Sequence, residues 1–431
     1  KFLISLMVDS KKSLLAWSFY DWANSAFATT VMAGVFPVFF KEYWSTTDNV
    51  TLSTWYLGLA NSTASILIAA LSPFLGAIAD QGTAKKRLLI LFAFIGIIST
   101  GALWIVQQGS WQVAILFYVV ASVGFMGGNI FYDSLLPGIA SKEKIDYTSS
   151  LGFALGYIGG GLLFLINVLM YLQPHIFGIP DGATAIKLSF LSVAIWWAVF
   201  SIPIMIFVEE PKIHEPVGIF KAIKGGWSQL ISTIQKVRQL KVVGTFLIAY
   251  WLYIDGVDTI IRMSIDYGTS LGFPSSSLIT ALLLVQFIAF PATLVYNWFS
   301  SKIGIKNAIY IGIIGYSSIT IFGVFVSEEW HFYVIAVVIG CFQGGIQALS
   351  RSMYSRIIPK DQAAEFFGFY NMLGKFAAIV GPPLMGYVGL ATGNPRLGIL
   401  SIIILFILGG YVLSKVDLKE GEMMAESFDL K

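Results

Sequence analysis

Long apolar segments separated by short polar ones run along almost the whole chain. A membrane-spanning helix needs about 20 apolar residues, and twelve segments reach that length. They are 14–40, 52–79, 88–107, 111–138, 150–173, 186–208, 241–265, 275–299, 304–326, 331–358, 364–390 and 395–415. The pattern predicts an all-α integral membrane protein with twelve transmembrane helices, since the strands of a transmembrane barrel would give short alternating segments.

The longest predicted loop divides these spans six and six. A shift of 222 residues places 137–162 on 359–384 without a gap, and it aligns Pro137 with Pro359. One offset of about half the chain length indicates an internal duplication and two pseudo-symmetric halves. We therefore expect an N-terminal six-helix half at 1–208, a cytoplasmic linker at 209–240, and a C-terminal six-helix half with a cytoplasmic tail at 241–431.

The linker contains a basic segment, 221–241, with apolar residues at helical spacing. Ile223, Trp227 and Ile234 fall on one side of a helix drawn through this segment. Such a face is typical of a helix that lies in the membrane interface. A solvated cationic linker is the alternative interpretation.

Composition supports the membrane class and excludes several functions. The chain is 56% hydrophobic and 12% charged, with a mean hydropathy of +0.77, whereas soluble domains are about 25% charged. The net charge of +3 and the lack of a basic–aromatic block give no indication of nucleic acid binding. One cysteine and three loop histidines make no metal set. We expect no metal, no cofactor and no enzyme activity.

Lysine and arginine predict the orientation, because cytoplasmic loops carry an excess of both. With the N-terminus inside, 22 of the 27 Lys and Arg residues, Arg351 among them, fall in cytoplasmic segments. The opposite segments hold only Lys41, Lys187 and Arg396. Both termini are therefore expected in the cytoplasm.

Few ionisable residues fall within the predicted spans. They are Asp21, Asp133, Asp255, Asp258, Arg262 and Lys375. A charge facing lipid is costly, whereas a charge facing a wet cavity is not. We therefore expect spans 1, 4 and 7 to surround a polar path, with span 11 beside it.

Span 1 carries the segment SFYDWANSAFATT at 18–30. Asp21, Asn24 and Ser25 fall at positions i, i+3 and i+4, on one helical face. This face predicts a cavity-lining stripe in which Asp21 binds substrate or a coupling proton. The alternative is a carboxylate that interacts with the helix N-terminus.

Other spans carry polar pairs with similar alternatives. Asn129 and Asp133, one turn apart, are either a cytoplasmic gate or partners for loop lysines. Asn371 and Lys375 have the same spacing, and Lys375 either binds substrate or forms an interhelical ion pair. A third pair contacts a polar ligand or ties helices together. This pair is Gln343 and Gln347.

Span 7 places three charges at i, i+3 and i+7. Asp258 and Arg262 are an i,i+4 pair, which predicts mutual neutralisation or an outer gate. Asp255 has no base one turn away, so it is the better candidate for a coupling residue.

Two segments resemble a known family. GAIADQGTAKKR at 76–87 looks like the loop signature of the major facilitator superfamily, and YDWANSAF at 20–27 resembles its branch of autophagy-related vacuolar amino-acid effluxers and their bacterial relatives. The resemblance implies that Asp80 stabilises the cytoplasmically closed state. Gln81 stands where a basic residue is usual, and the cluster is displaced to Lys85, Lys86 and Arg87.

Span 5 also resembles a superfamily motif, that of its antiporters. The matching residues are Gly152, Gly156, Gly160 and Gly161, while Tyr157 replaces the usual proline. The motif hints at exchange or efflux, although close helix packing explains the glycines equally well.

Together these features predict a secondary active transporter that moves a small polar solute by alternating access. The resemblance favours an amino-acid-like solute and efflux, with proton coupling preferred over sodium. The alternative is a receptor-like or lipid-handling membrane protein on the same scaffold. We expect a monomer in a lipid bilayer, in a bacterial inner membrane or, failing that, a vacuolar or other organelle membrane.

Overall fold

The computed structural model describes residues 8–44, 50–82, 84–210, 231, 235, 240–376 and 380–429. Every regular element in these ranges is helical. The helices are α1 (Lys11–Ala26), α2 (Val50–Gly82), α3 (Lys85–Ala102), α4 (Trp111–Ile139), α5 (Ile145–Leu172), α6 (Gly182–Phe207), α7 (Lys241–Ser270), α8 (Ser275–Ile303), α9 (Ile305–Gly323), α10 (Glu329–Ile357), α11 (Ala363–Phe376), α12 (Gly381–Thr392), α13 (Pro395–Ser401), α14 (Ile403–Ser414) and α15 (Leu418–Asp429). Short 3₁₀ turns lie at Leu103–Ile105, Pro174–Phe177 and Lys360–Gln362.

The first helix does not stay α-helical. Beyond α1 it continues as a π-helix at Phe27–Val35, an α-helical turn at Phe36–Phe39 and a second π segment at Phe40–Trp44. A π-helix is rare and is often found at functional sites. Here it begins directly after the polar stripe of α1.

The described chain has enough long apolar helices for a membrane protein. Within the residues that the structure describes, nine helices are long and apolar enough to cross a membrane. The number is ten if Leu59–Ser72 and Phe74–Asp80, bent by 43° at Pro73, form one span. Predicted span 1 is interrupted by the π segments. Predicted span 11 contains two described helices, α11 and α12, and 377–379 between them lie outside the described residues. The twelve-span layout therefore stays a prediction.

Buried apolar side chains form two clusters that follow the chain order. The first runs from Ala16 to Val208 and includes Ala364, and the second runs from Leu240 to Val416. We call α1–α6 the N-terminal helices and α7–α14 the C-terminal helices. The two groups meet where α5 packs on α8 and α10, and where α2 packs on α11.

The linker and the C-terminal tail lie outside the predicted spans, and the structure describes only the second of them in detail. The interfacial helix expected at 221–241 lies almost wholly outside the described residues. The C-terminal tail, in contrast, contains a helix that the apolar pattern did not predict, α15. This helix packs on α10, where Gly421 approaches Ile357 closely.

Candidate functional site

A cavity of about 440 Å³ lies between the N-terminal and C-terminal helices. Its described lining residues come from α1 and the π segment after it, and from α4, α5, α7, α8, α10 and α11. Within the described chain, α3, α6, α9, α13 and α14 contribute no lining residue. This arrangement agrees with the expected polar path along spans 1, 4, 7 and 11, and it adds three helices.

One face of α10 follows the cavity for most of its length. Phe332, Ile339, Gln343 and Arg351 all line it. The first and last of these are separated by 19 residues, which corresponds to about 28 Å along the helix. The lining thus changes from apolar near the start of α10, through amides, to a cation near its end.

Arg351 is the centre of a buried polar cluster. Its Nη1 lies 3.1 Å from Asp133 Oδ1, and Nη1 and Nη2 each lie 3.4 Å from Asp21 Oδ2. Its Nε donates to Ser149 Oγ and its Nη2 to the Ser149 carbonyl oxygen, both at 2.9 Å. The Arg351 side chain is only 4% exposed. We call Arg351, Asp21, Asp133 and Ser149 the Arg351 cluster.

Aromatic rings enclose the guanidinium group. The ring centroids of Trp17, Tyr132 and Phe153 lie 4.9, 5.4 and 4.2 Å from its Cζ. The Tyr132 hydroxyl also donates to Asp21 Oδ2 at 2.8 Å, and Trp17 Nε1 donates to the Tyr132 carbonyl at 2.8 Å. Cation–π contacts strengthen when water is excluded, so the rings help to hold a cation that burial alone would disfavour.

Further hydrogen bonds extend the cluster across the two groups of helices. Asn371 Nδ2 on α11 donates to Asp133 Oδ2 on α4 at 3.2 Å. Ser149 Oγ on α5 donates to the Ala348 carbonyl on α10 at 2.8 Å. The cluster therefore joins α1, α4 and α5 to α10 and α11.

Sequence reasoning missed Arg351 as a site residue. The expectation placed it among the cytoplasmic cations, because it lies only six residues before the end of α10 at Ile357. The structure corrects this, since its side chain points into the protein and not into water. The available signal was the spacing of Gln343, Gln347 and Arg351 at i, i+4 and i+8, which puts the arginine on the same face as the two glutamines.

The predicted stripe of α1 lies on the cavity wall. Asp21, Asn24 and Ser25 line it, and so does Thr29 in the π segment that follows. Asn24 Nδ2 donates to Asn129 Oδ1 on α4 at 2.7 Å. Of the other predicted residues, Asp133, Gln343, Gln347 and Asn371 line the cavity too. The Lys375 side chain lies outside the described residues.

The span 5 glycines are the points where α5 meets this stripe. A Cβ at Gly152 would lie 2.7 Å from Asp21 Oδ2, one at Gly156 2.6 Å from Ser25 Oγ, and one at Gly160 2.8 Å from Thr29 Oγ1. A Cβ at Gly161 would instead lie 3.0 Å from Gln286 Cβ on α8. The motif thus brings α5 against α1 and α8, which is the packing interpretation.

Several uncharged polar groups line the cavity beyond the Arg351 cluster. The Tyr157 hydroxyl, at the position where the antiporter motif has proline, donates to Gln347 Oε1 at 2.7 Å. Gln286 and Gln343 line the same region. These groups offer both donors and acceptors to a polar solute.

Span 7 differs from the expectation for Asp255. Both of its carboxylate oxygens accept from the Gly381 N–H, at 3.0 and 3.2 Å, and one accepts from the Val380 N–H at 3.2 Å. Asp255 therefore caps the N-terminus of α12 and is not among the described lining residues, while Asp258 is. The sequence could not show this, because the cap depends on the break between α11 and α12. The Arg262 side chain lies outside the described residues.

Asp80 forms a second buried junction between the two groups of helices. It pairs with Lys85 Nζ at 2.8 Å, and it accepts from the N–H groups of Ala364 and Glu365, at 3.2 and 2.8 Å. A carboxylate stabilises the N-terminus of a helix, here that of α11. A Cβ at Gly76 would clash with the Ala364 carbonyl oxygen, so the close approach requires glycine.

The neighbouring basic residues have structural partners. The backbone N–H groups of Lys85 and Lys86 donate to the Glu210 carboxylate, both at 3.1 Å, and Lys86 Nζ donates to the Val208 carbonyl at 2.7 Å. Burial raises the pKa of the Glu210 carboxyl. Arg87, the third member of the predicted cluster, follows them in the first turn of α3.

The two ends of the cavity differ. At the end that carries Asp9 and α15, which we call the termini end, the Arg351 cluster and Asp80 join the two groups of helices, and Arg356 Nη2 pairs with Asp146 at 2.8 Å. Towards the opposite end, the cavity extends to Phe332, three residues into α10. The cavity is therefore closed at the termini end.

Comparison with known protein families gives a match over most of the chain. The family model described as "Vacuole effluxer Atg22 like" matches residues 49–426. The uncharacterized MFS-type transporter YxiO of Bacillus subtilis is 37% identical over 405 residues, covering 93% of this chain and 94% of the relative. Autophagy-related protein 22 of Vanderwaltozyma polyspora is 23% identical, covering 97% of this chain and 93% of that protein.

Solved structures of the major facilitator superfamily share the fold. The proton:xylose symporter XylE covers 100% of this chain and 98% of its own, with a TM-score of 0.73 and 13% identity. The human organic anion transporter MFSD10 covers 94% of this chain and 99% of its own, with a TM-score of 0.71 and 13% identity. At this identity the likeness concerns the fold alone.

Proposed function

The chain belongs to the Atg22-like vacuole effluxer family of membrane transporters, and from that premise we propose that it moves a small, amino-acid-like polar solute by alternating access. In this proposal twelve spans form two six-helix halves, at 1–208 and 241–431, joined by the linker at 209–240. The halves rock about the cavity, which lies where transporters of this architecture place their substrate.

The Arg351 cluster is the observation that carries the proposal. It closes one end of a cavity lined from both groups of helices, and every bond it makes to α1, α4 and α5 must break if that end opens. A buried charge left without its partner costs about 3–5 kcal/mol. A solute that replaces the lost partners lowers this cost, so its binding is coupled to opening.

An amino acid carries the two charges that could replace the partners within the Arg351 cluster. Its carboxylate matches the planar guanidinium of Arg351, which binds carboxylates in a bidentate manner. Its ammonium group matches Asp21 or Asp133. The amides of Gln286, Gln343 and Gln347 lie further along the same cavity and would contact the remaining polar groups of the solute.

The Arg351 cluster also contains carboxylates that could bind a coupling proton. Two carboxylates, Asp21 and Asp133, share one guanidinium. When Arg351 withdraws, a carboxylate that takes up a proton becomes neutral and stays buried at low cost. We propose that one of these two residues exchanges the coupling proton, and that Asp255 serves as a helix cap.

The orientation follows from the lysine and arginine distribution. With both termini in the cytoplasm, the end that the Arg351 cluster closes faces the cytoplasm, and the cavity extends towards the opposite side. Asp80, at the N-terminus of α11, then stabilises this closed state together with Lys85. Efflux from the cytoplasm or from a vacuole is the direction that the family favours.

A ligand screen followed by transport assays tests the proposal. Purified protein is heated with amino acids, short peptides, sugars and organic anions. A solute at one hundred times its Kd stabilises the folded state by about 2.7 kcal/mol, which raises the melting temperature. We expect a hit among amino acids, and we expect proteoliposomes to accumulate it in response to a pH gradient.

A site variant and a surface control variant test whether the thermal shift and uptake depend on the cavity. Asp21→Asn should lose both the thermal shift and uptake, while Glu420→Gln, which removes an exposed carboxylate on α15, should keep both. Stabilisation by a solute without any transport would favour the receptor-like alternative. Stabilisation only by lipids would favour the lipid-handling one.

A further inference from the structure

The C-terminal helix α15 is anchored to the C-terminal helices by one face. Ala425 is 4% exposed, and Val416, just before the helix, is 1% exposed. A Cβ at Gly421 would lie 2.7 Å from Ile357 and 2.9 Å from Val242, so α15 rests on the ends of α10 and α7. Because of this burial, α15 moves with the C-terminal helices.

The side of α15 next to this buried face carries Glu422 and Glu426 and reaches the turn between α4 and α5. Glu426 Oε1 lies 2.8 Å and Glu422 Oε2 3.5 Å from Lys142 Nζ. Lys142 lies in the turn between α4 and α5. These ion pairs therefore join α15, and through it the C-terminal helices, to the turn between α4 and α5.

Arg356 at the end of α10 extends the network. Its Nη1 lies 3.6 Å from Glu422 Oε1 and its Nη2 2.8 Å from Asp146 Oδ2. Glu422 thus holds Lys142 and Arg356 at once, and α15 completes a chain of charges across the junction. None of these residues lines the large cavity.

We propose that α15 is a latch that holds the termini end closed through Lys142 and takes no part in solute binding. The inference rests on the proposed alternating access. When the turn between α4 and α5 separates from α10, the pairs of Lys142 with Glu422 and Glu426 break, whereas the apolar contacts of α15 persist. The ion pairs therefore stabilise only the closed state.

The strength of the latch is set by its exposure. The Lys142 side chain is 35% exposed and that of Glu426 is 64% exposed. Ion pairs at such exposure are weak and are screened by salt. The latch adjusts the closed population by a few-fold and does not lock it, which suits a device that tunes the transport rate.

A cysteine introduced at the buried position Ser355 can show whether the termini end is closed. Ser355, near the end of α10, is 3% exposed and lies beside Arg356 and Pro137. In full-length protein with Cys341→Ser and Ser355→Cys, reconstituted in nanodiscs, a polar maleimide modifies the new thiol only after the termini end opens. We expect Glu422→Gln/Glu426→Gln to raise the modification rate about three- to tenfold, as for two weak ion pairs. Glu420→Gln should leave it unchanged.

Charge reversal and salt separate a latch from a general loss of structure. Lys142→Glu should raise the modification rate at least as much. Lys142→Glu/Glu426→Lys should restore part of the protection, because it recreates the pair at 426 while Glu422 is unchanged. High salt should raise the rate more in the parent than in the double glutamine variant, in which only the pair of Arg356 with Asp146 remains to be screened. An unchanged rate in the glutamine variant, or no recovery on charge reversal, would overturn the latch. Because labelling needs no solute, a failure of transport would count against the proposed function and not against this inference.

Discussion

Arg351 on α10 and Asp133 on α4 are joined by an ion pair of 3.1 Å, although 218 residues separate them in the chain. The pair is buried, and the same guanidinium contacts Asp21 on α1. These contacts cross the boundary between the two groups of helices at the closed end of the cavity. Opening that end requires these contacts to be replaced by others.

Replacing Arg351 by lysine should abolish transport although the charge is kept. A lysine ammonium cannot donate to Ser149 and to both carboxylates in the fixed geometry of a guanidinium. We expect uptake into proteoliposomes to fall at least a hundredfold. The unfolding free energy should fall by about 1.5–3 kcal/mol, as for the loss of a hydrogen bond to a charged group. Lys419→Gln, an exposed change on α15, is the control. Normal uptake by the Arg351→Lys protein would remove the guanidinium from the mechanism.

Asp21 and Asp255 should respond differently to the same substitution. Asp21→Asn keeps the side-chain shape and an acceptor for Tyr132, so the protein should fold while transport and the ligand-induced thermal shift are lost. Asp255→Asn weakens a helix cap, which is worth about 1 kcal/mol, so its melting temperature should fall while transport by the folded fraction persists. Loss of transport in a fully folded Asp255→Asn protein would return this residue to the coupling role.

A methyl group at Gly152 should disrupt the Arg351 cluster. The added Cβ would lie 2.7 Å from Asp21 Oδ2, 2.9 Å from the Tyr132 hydroxyl and 3.1 Å from Arg351 Nη2. Gly152→Ala should therefore abolish transport and lower the melting temperature. At Gly386 on α12 nothing lies within 4 Å of the new Cβ. Gly386→Ala should be neutral or stabilising by up to about 1 kcal/mol, because alanine favours helix.

Asp80 and Lys85 should act as a unit. Asp80→Asn weakens the N-terminal contact to α11 and the pair with Lys85, and Lys85→Met removes the pair alone. We measure the free energy of unfolding of both single variants and the double variant. We expect a coupling energy of about 1–3 kcal/mol, as is usual for residues in one network. Strict additivity would show that the 2.8 Å pair contributes nothing.

A proton gradient should drive uptake of the solute identified in the ligand screen. Asp21 and Asp133 share the guanidinium of Arg351. When this group moves away, a proton is the simplest way to neutralise one of the two carboxylates. A protonophore should collapse uptake in sodium-free buffer, and Asp133→Asn should make the remaining exchange insensitive to pH. Uptake that persists with the protonophore but requires sodium would contradict proton coupling.

Much of the site could be predicted from local spacing. Asp21, Asn24 and Ser25 share a face of α1 whatever the other helices do, and most of the predicted polar residues line the cavity. The glycine spacing in α5 likewise indicated close packing. Local periodicity could not identify the partner helix, which the structure shows to be α1 for Gly152, Gly156 and Gly160 and α8 for Gly161.

The sequence by itself determined the membrane class, the helical fold and the faces of the helices that carry polar groups, because these depend on composition and on a period of 3.6 residues. Only the tertiary structure decided which charges meet. Arg351 was counted with the loops because it lies near a helix end, and the contacts that bury it come from α1, α4 and α5. Asp255 is a cap because α12 begins beside its carboxylate, which accepts from the Val380 and Gly381 N–H groups. Both outcomes depend on contacts between distant segments, and no local pattern encodes these.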